Sequence, residues 1–340
     1  MQLGEVGRQE SSVAAVVPRP ELIAGTRKGL RTDSVYQGIS LIVSCGLVVL
    51  LAAIVWVLTS TAWPAIQQLK LGFFTGTIWN TATNVYGALP FLVGTLITTT
   101  LALLIAVPIS LAIALLLTDF APRWLATAVG VVIDVAAGVP TIVFGVWAVL
   151  VLVPWMRDTA EPAIQVVLGW LPLFRTPSIG YLTGQGMFVS GLVLAAMISP
   201  TIIAISRDSL RAVSRELREA SLGVGATRWE TASRVVLRES RPGILGGIIL
   251  ACGRALGEAI AIVYIIGSVP KMPESLFDIG NSLSALLLNQ AGSTIPGSLN
   301  TGALYEIGLI LLLLSLITSV AGRLLTGRLL GAAGLSGGRA

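Results

Sequence analysis

Arg254 and Glu258 lie inside a long apolar stretch, Ile244 to Ser268. An arginine at the centre of a bilayer costs roughly 2.5 to 3.5 kcal/mol on insertion scales, so its charge needs compensation. At a spacing of i, i+4 the two side chains are expected to share one helix face, where they can form an internal salt bridge that only orients the helices. Alternatively, the guanidinium donates two parallel hydrogen bonds to a tetrahedral oxyanion, while the carboxylate accepts one from a protonated oxyanion or holds the empty arginine.

The composition around this pair is that of a polytopic membrane protein. Of the 340 residues, 54% are hydrophobic and 11% are charged, against roughly a quarter charged in a soluble domain. The chain has no histidine, which excludes histidine metal sites and Ser-His-Asp triads. None of its three lysines is followed by Ser or Thr, so the phosphate-binding loop of ATPases is absent. We therefore expect a chain that is not an enzyme and that has no metal site and no cofactor of its own.

Six apolar stretches are long enough to cross a bilayer, which takes about 20 residues of helix. They predict an all-α membrane domain over residues 35–325, between an N-terminal tail, 1–34, and a C-terminal tail, 326–340. The six predicted spans are Val35–Ser60, Leu92–Leu117, Leu125–Val153, Phe188–Ile205, Ile244–Ser268 and Leu304–Leu325.

The basic residues predict how these spans are oriented. Seventeen of the 22 Lys and Arg lie in the tails, at Arg123, in the loop 206–242 or at Arg323 beside the C-terminal tail, whereas four lie in the opposite loops. Because Lys and Arg concentrate on the cytoplasmic side, both termini are expected in the cytoplasm. The same rule explains the basic excess, so we expect no nucleic-acid partner. The opposite loops, including 154–187, are rich in Gly, Pro and Thr and are expected to be irregular.

Other polar residues lie in or near the predicted spans. Asp134 and Glu306 could pair with another chain, line a path or meet water at the membrane surface. Thr95 and Thr98–Thr100 could donate hydroxyls to a path, although threonines in membrane helices more often bond back to their own backbone. The sequence leaves these alternatives open.

The loop 206–242 is the only sizeable one on the side of the termini. Its residues predict a helix, a turn at Gly223 and Gly225, and a second helix. Taken alone, this pattern also fits a basic strip lying on anionic lipid headgroups. The order Glu219-Ala220-Ser221, then Gly225, then Val235-Val236-Leu237 resembles the EAA loop of ABC-importer permeases, in which Glu-Ala-Ala is followed by Gly and an Ile-x-Leu-Pro ending.

This resemblance implies that the loop couples the membrane domain to an ATPase subunit through Glu219, Ala220, Ser221 and Gly225. Two positions depart from the family pattern. Ser221 replaces the second Ala, and Arg238 stands where the family has Pro. The departures leave the docking role intact and put the course of the second helix in doubt.

Three further segments resemble the permeases of the phosphate-specific transport (Pst) family. They are Tyr86-Gly87-Ala88-Leu89-Pro90 with Gly94-Thr95, then Gly138 to Gly145, and Gly253 to Glu258. The similarity runs from about residue 35 to 325, and the outward segment 154–187 favours the C subunit over the A subunit. The implied fold is that of a type I ABC importer permease in the bacterial plasma membrane.

The Pst resemblance also implies a function and a set of partners. Arg254 and Glu258 are expected to lie on the path of phosphate. The partners are expected to be a second, A-type permease, two copies of a B-type ATPase that binds ATP and Mg, and an external S-type phosphate-binding protein. The residues alone leave other functions open, namely a permease for another oxyanion, a secondary anion transporter, or a sensor that reports transporter state to cytoplasmic regulators.

The charge asymmetry generates a test of topology. A reporter enzyme that is active only outside the cytoplasm should be active when fused after Leu71 or Asn281 and inactive when fused after Ser221. The measurement is reporter activity normalised to the amount of fusion protein. The opposite pattern of activities would reject the predicted orientation.

Overall fold

The computed structural model describes residues 26–334, so most of the predicted N-terminal tail and the last six residues of the predicted C-terminal tail lie outside the described residues. Helix α1 begins at Thr26, nine residues before the predicted start of the membrane domain, and the last helix continues to Gly334. By its contacts the part of α1 up to Trp56 forms one unit, and the chain from Val57 onwards forms a second unit.

The described residues are predominantly helical, which confirms the predicted all-α class. Among the residues that the structure describes, the only strands are β1 and β2, a short antiparallel pair that places Trp79 opposite Tyr86. The helices and strands are α1 Thr26–Leu69, α2 Gly72–Thr75, β1 Trp79–Asn80, β2 Val85–Tyr86, α3 Leu89–Leu115, α4 Arg123–Ala137, α5 Thr141–Trp147, α6 Val153–Trp155, α7 Glu161–Leu168, α8 Met187–Arg211, α9 Arg215–Gly223, α10 Arg228–Glu230, α11 Leu237–Glu239, α12 Arg241–Gly257, α13 Ile260–Ile265, α14 Leu283–Gln290 and α15 Leu299–Gly334.

Turns of π-helix join several of these helices without a break. They extend α3 to Phe120, connect α5, α6 and α7 into one continuous helix, and connect α10 to α11. Counted this way, five helices in the described part of the chain are long and apolar enough to cross a membrane. They are Tyr36–Leu69, Leu89–Phe120, Thr141–Leu168, Met187–Arg211 and Leu299–Gly327.

The third predicted span is wrong in its boundaries. The structure breaks Leu125–Val153 after Ala137, because Pro140 lacks an amide hydrogen and disfavours helical backbone at the residue before it. The helix that crosses the membrane starts at Thr141 and continues to Leu168. The first part of segment 154–187 is therefore helical, which corrects the prediction of an irregular loop.

The fifth predicted span, Ile244–Ser268, is not one helix. Helix α12 ends at Gly257, Glu258 is extended with φ −72° and ψ 118°, and α13 begins at Ile260. Ser284 donates its hydroxyl to the Glu258 carbonyl at 2.7 Å, so the carbonyl freed by the break keeps a partner. This replacement is needed in a membrane, where no water satisfies a free backbone group. Six unbroken spans are therefore not confirmed.

Small residues let the helices of the second unit approach closely. Gly243 and Gly247 lie against α8, where a Cβ at Gly247 would be 2.9 Å from Ile205 Cγ2 and one at Gly243 would overlap Ser209. In contrast, a Cβ at Gly253 or Gly257 would meet no atom within 4 Å. Of the two small-xxx-small steps in α12, only the first therefore serves helix packing within this chain.

Asp278 holds the loops before α8 and before α14 together. Its carboxylate is buried and accepts hydrogen bonds from the Ser178, Glu274 and Ser275 amides at 2.7 to 2.9 Å. Burial raises the pKa of Asp278, but these amides outweigh burial, so the pKa lies below its ordinary value. The Asp278 carbonyl also accepts from the first amide of α8, Met187, at 3.1 Å. The side chain of Asp278 thus fixes the two loops to each other, and its backbone carbonyl accepts from the first amide of α8.

The packing of α12 on α8 generates a prediction on stability. Gly247→Ala places a methyl group into Ile205 and should destabilise the fold by about 1 to 3 kcal/mol, which is the usual cost of overpacking. Gly246→Ala is the matched control, because its Cβ meets open space and Ala is the better helix former. Thermal unfolding of the purified protein measures the difference. Equal unfolding temperatures for the two variants would mean that α12 is not held against α8 at Gly247.

Candidate functional site

Arg254 lies in an open groove of about 810 Å³ between α12 and α15, with one side formed by α8. We call it the arginine groove. Arg254 is exposed, and among the described residues no carboxylate lies within 4.0 Å of its guanidinium. The residues lining the groove include Thr201, Gly246, Gly253, Arg254, Ser319 and Arg323.

Arg254 and Glu258 form no salt bridge within the described residues, so the first of the two roles predicted from their spacing is not found. Helix α12 ends at Gly257, and Glu258 is the first residue beyond the helix that carries Arg254. The Glu258 carboxylate instead accepts a hydrogen bond from the Ala261 amide at 3.3 Å, at the start of α13. An internal salt bridge between the two residues is therefore absent, and the Arg254 charge has no partner in the described chain.

The loop 206–242 has the predicted helix, glycine turn and second helix. Ser214 caps α9, where its hydroxyl accepts from the Leu217 amide at 3.4 Å. Gly225 has φ +93°, a left-handed backbone that L side chains rarely adopt, so the turn needs glycine there. Thr227 and Glu230 form a capping box at the start of the second helix, and the Thr227 amide lowers the pKa of Glu230.

The second helix runs into α12 despite the departure at Arg238. Residues 231–236 form a π-helical turn, α11 follows, and the Ser240 amide donates to the Val236 carbonyl at 3.0 Å. Pro242 lies at the start of α12, where a missing amide hydrogen costs nothing. The loop is therefore joined to the helix that carries Arg254 by nearly continuous helix.

The face of the loop that bears the predicted coupling residues is exposed. Glu219, Ala220 and Gly225 are all exposed, and Val224 beside them is 86% exposed. Ser221 is half-buried and its hydroxyl lies 3.0 Å from that of Thr231, which ties α9 to the second helix. An apolar side chain left in water at the tip of a rigid turn is typical of a surface that binds another protein.

An ion pair that the sequence did not reveal fastens α9 to the membrane helices. Arg218 contacts the carboxylate of Asp119 at the end of the second span, and also donates to the Leu210 carbonyl at 2.6 Å. The two charged side chains are 22% and 13% exposed. Phe120, the next residue, lies against Trp229 of the second helix with ring centroids 6.0 Å apart. An acidic residue followed by an aromatic one at a span end was the only signal available.

The other polar residues that the sequence placed in or near the spans lie outside the arginine groove. Asp134 lies 3.5 Å from Arg207 of α8. Thr95 and Thr98 donate to backbone carbonyls of their own helix, as expected, and Thr95 also accepts from the Leu283 amide at 2.9 Å. Glu306 is buried in α15 and does not line the arginine groove. These residues do not meet Arg254 in one site.

Comparison with known proteins identifies the kind of chain that carries this groove. The family model described as "Binding-protein-dependent transport system inner membrane component" matches residues 106–331. The chain is 40% identical over 280 residues to the phosphate transport system permease protein PstC of Pasteurella multocida, covering 82% of this chain and 87% of that protein. This chain belongs to the PstC family of permeases. The phosphate transport system permease protein PstC of Mesorhizobium japonicum is 35% identical over 314 residues, covering 92% and 96%.

A solved structure confirms the fold of this PstC-family chain. It is similar, with a TM-score of 0.54 and 13% identity, to a chain of a bacterial alginate ABC transporter crystallised with an alginate pentasaccharide-bound periplasmic protein, covering 88% of this chain and 96% of that one. The chain therefore has the fold of an ABC importer permease and is a multi-pass membrane protein. Both the Pst resemblance and the predicted fold class are confirmed.

The Asp119–Arg218 pair generates a prediction on the mobility of α9. Asp119→Asn leaves Arg218 half-buried without its partner and should loosen α9 by about 1 to 3 kcal/mol, which is about 5-fold to 150-fold in amide exchange. Arg234→Gln is the control, because it breaks an exposed pair with Glu230 that is worth little. Hydrogen exchange of residues 215–223 measures the effect. Equal exchange in both variants would show that the pair does not hold α9.

Proposed function

We propose that the arginine groove is part of the phosphate path of an ATP-driven importer, and that Arg254 binds the phosphate there. The observation that carries the proposal is the unpaired guanidinium of Arg254 in a helix that belongs to the membrane domain. Such a charge is costly in a membrane unless an anion or water compensates it. A tetrahedral oxyanion matches the planar fork of arginine with two parallel hydrogen bonds. The names of the PstC relatives support phosphate as that oxyanion.

In this proposal Glu258 has a role different from that of a counter-ion. Its carboxylate lies at the end of α12, four residues beyond Arg254, and its hydrogen bond to the Ala261 amide leaves acceptor capacity on both oxygens. A carboxylate in this position accepts a hydrogen bond from a protonated phosphate and repels a fully deprotonated one. Glu258 would therefore select for the protonated anion as it reaches Arg254.

We propose further that the exposed face of the loop 206–242 docks on an ATPase subunit. Glu219, Ala220 and Gly225 would form the contact, and Ser221 would keep α9 tied to the second helix. Motion of the ATPase would then reach the end of α3 through the Asp119–Arg218 pair and α12 through the helix that follows Thr227. ATP and Mg would be bound by the ATPase, as this chain has no phosphate-binding loop.

The other partners of the proposed importer follow from its family. An A-type permease would face this chain, two B-type ATPase subunits would bind below, and an external phosphate-binding protein would deliver phosphate from the opposite side. Both termini would lie in the cytoplasm, because the loop that contacts the ATPase is on the same side as they are.

Uptake of radiolabelled phosphate by cells that contain the whole transporter tests the role of Arg254. Arg254→Lys keeps the charge but loses the two-pronged geometry, so uptake should fall by about tenfold, and Arg254→Gln should lower it further. Arg123→Gln is the charge-matched control, because Arg123 is exposed at the start of α4 and lies outside the groove. The amount of assembled complex in the membrane is measured for each variant. Normal uptake with Arg254→Gln would remove Arg254 from the path.

A further inference from the structure

The arginine groove contains a second arginine, Arg323 of α15. Its height in the groove follows from its neighbour Gly322, which lies against Ile249 of α12. Arg254 is five residues further along α12, which corresponds to about 7 Å at 1.5 Å per residue. Along the axis of α12, Arg254 therefore lies more than one helical turn beyond the level of Gly322, the neighbour of Arg323. Arg323 lies nearer to the start of α12, where the loop 206–242 ends.

Neither arginine has an acidic partner. The ion pairs formed within the described part of the chain are Arg157–Asp158, Arg207–Asp134, Arg218–Asp119 and Arg234–Glu230. No acidic residue lines the groove. Two guanidinium groups without an acidic partner in one groove attract anions, so the groove offers an anion two positions at different levels of α12.

The polar and small residues of the groove suit the same kind of ligand. The hydroxyls of Thr201 and Ser319 line it and form no hydrogen bond within the described residues. Gly246, Gly253 and Gly327 also line it, and a Cβ at any of the three would meet no atom within 4 Å. The groove thus offers free hydroxyl donors and room close to the backbone for a compact ligand.

We propose that Arg323 is a second oxyanion-binding residue. It binds the phosphate anion after Arg254 releases it, at the end of the groove nearer to the loop 206–242. The identity of the anion rests on the proposed function. Two binding positions of similar strength suit transport, because the anion is held well enough to enter and loosely enough to leave.

The same chemistry would bind the phosphate group of a lipid headgroup, since long basic side chains near helix ends often reach the membrane surface. Free phosphate and lipid phosphate are distinguished by the membrane in which the complex is measured. In phosphatidylcholine the choline cation neutralises the charge of the headgroup phosphate, whereas in phosphatidylglycerol that charge is free to bind an arginine.

Phosphate uptake by the complete transporter in cells is the first measurement. Arg323→Gln should lower the maximal uptake rate by about tenfold at an unchanged amount of assembled complex, and Arg323→Lys should retain part of it. Arg123→Gln again removes one exposed positive charge outside the groove and should leave the rate unchanged. Equal rates for Arg323→Gln and Arg123→Gln would overturn the proposal.

The purified complex in vesicles is the second measurement. If Arg323 binds free phosphate, Arg323→Gln lowers transport equally in phosphatidylcholine vesicles and in vesicles that contain phosphatidylglycerol. If the defect appears only with phosphatidylglycerol, Arg323 binds a lipid headgroup and the proposed transfer from Arg254 is wrong.

A second variant keeps the test decisive if Arg323→Gln fails to assemble. Gly246→Leu keeps both charges and fills the end of the groove near Arg323, and its Cβ meets open space, so the fold is preserved. Uptake should fall by about tenfold, and normal uptake would overturn the proposal.

The results also distinguish failure of this proposal from failure of the proposed function. Loss of uptake with Arg254→Gln but not with Arg323→Gln rejects Arg323 alone, whereas a wild-type complex that imports no phosphate rejects both.

Discussion

Backbone hydrogen bonding in a medium without water is the constraint that shapes this chain. At three helix ends in the described residues, a group that the helix leaves free has a partner from another segment. Ser284 donates to the Glu258 carbonyl where α12 ends, and the Gly280 amide donates to the Ile266 carbonyl at 2.9 Å just after α13. The carbonyl of Asp278 takes the first amide of α8. Specific hydrogen bonds therefore stabilise these helix breaks, and the residues that supply them come from distant parts of the sequence.

Those breaks mark the limit of what the sequence predicts. Apolar stretches located the membrane helices, because hydropathy depends on each residue and its neighbours alone. The turn at Gly225 was predicted for the same reason, because Gly223 and Gly225 affect only the backbone around them. The break at Glu258 was missed because its stability comes from Ser284, 26 residues away, and nothing in the Gly253 to Glu258 motif reports that partner. The break at Pro140 carried a local signal, but the apolar residues on both sides of it masked that signal.

The candidate site was predicted in part for a related reason. Arg254 was identified by its charge within an apolar stretch, and the structure places it in a groove. Its expected salt bridge with Glu258 does not form within the described residues, and the Glu258 carboxylate accepts from the Ala261 amide instead. Arg323 was counted only as a charge near the C-terminal tail, since its relation to Arg254 arises from the packing of α15 beside α12. Residues that act together across two helices cannot be recognised from spacing within one.

The near-continuous helix from Arg228 to Gly257 has a mechanical consequence. Thirty residues at 1.5 Å each give a helical path of about 45 Å from the turn that follows Gly225 to Gly257. Gly243 and Gly247 hold the middle of this path against α8. A displacement of the turn at Gly225 is therefore passed along the helix axis and to α8, and the extended residue Glu258 ends that helical continuity before α13 begins.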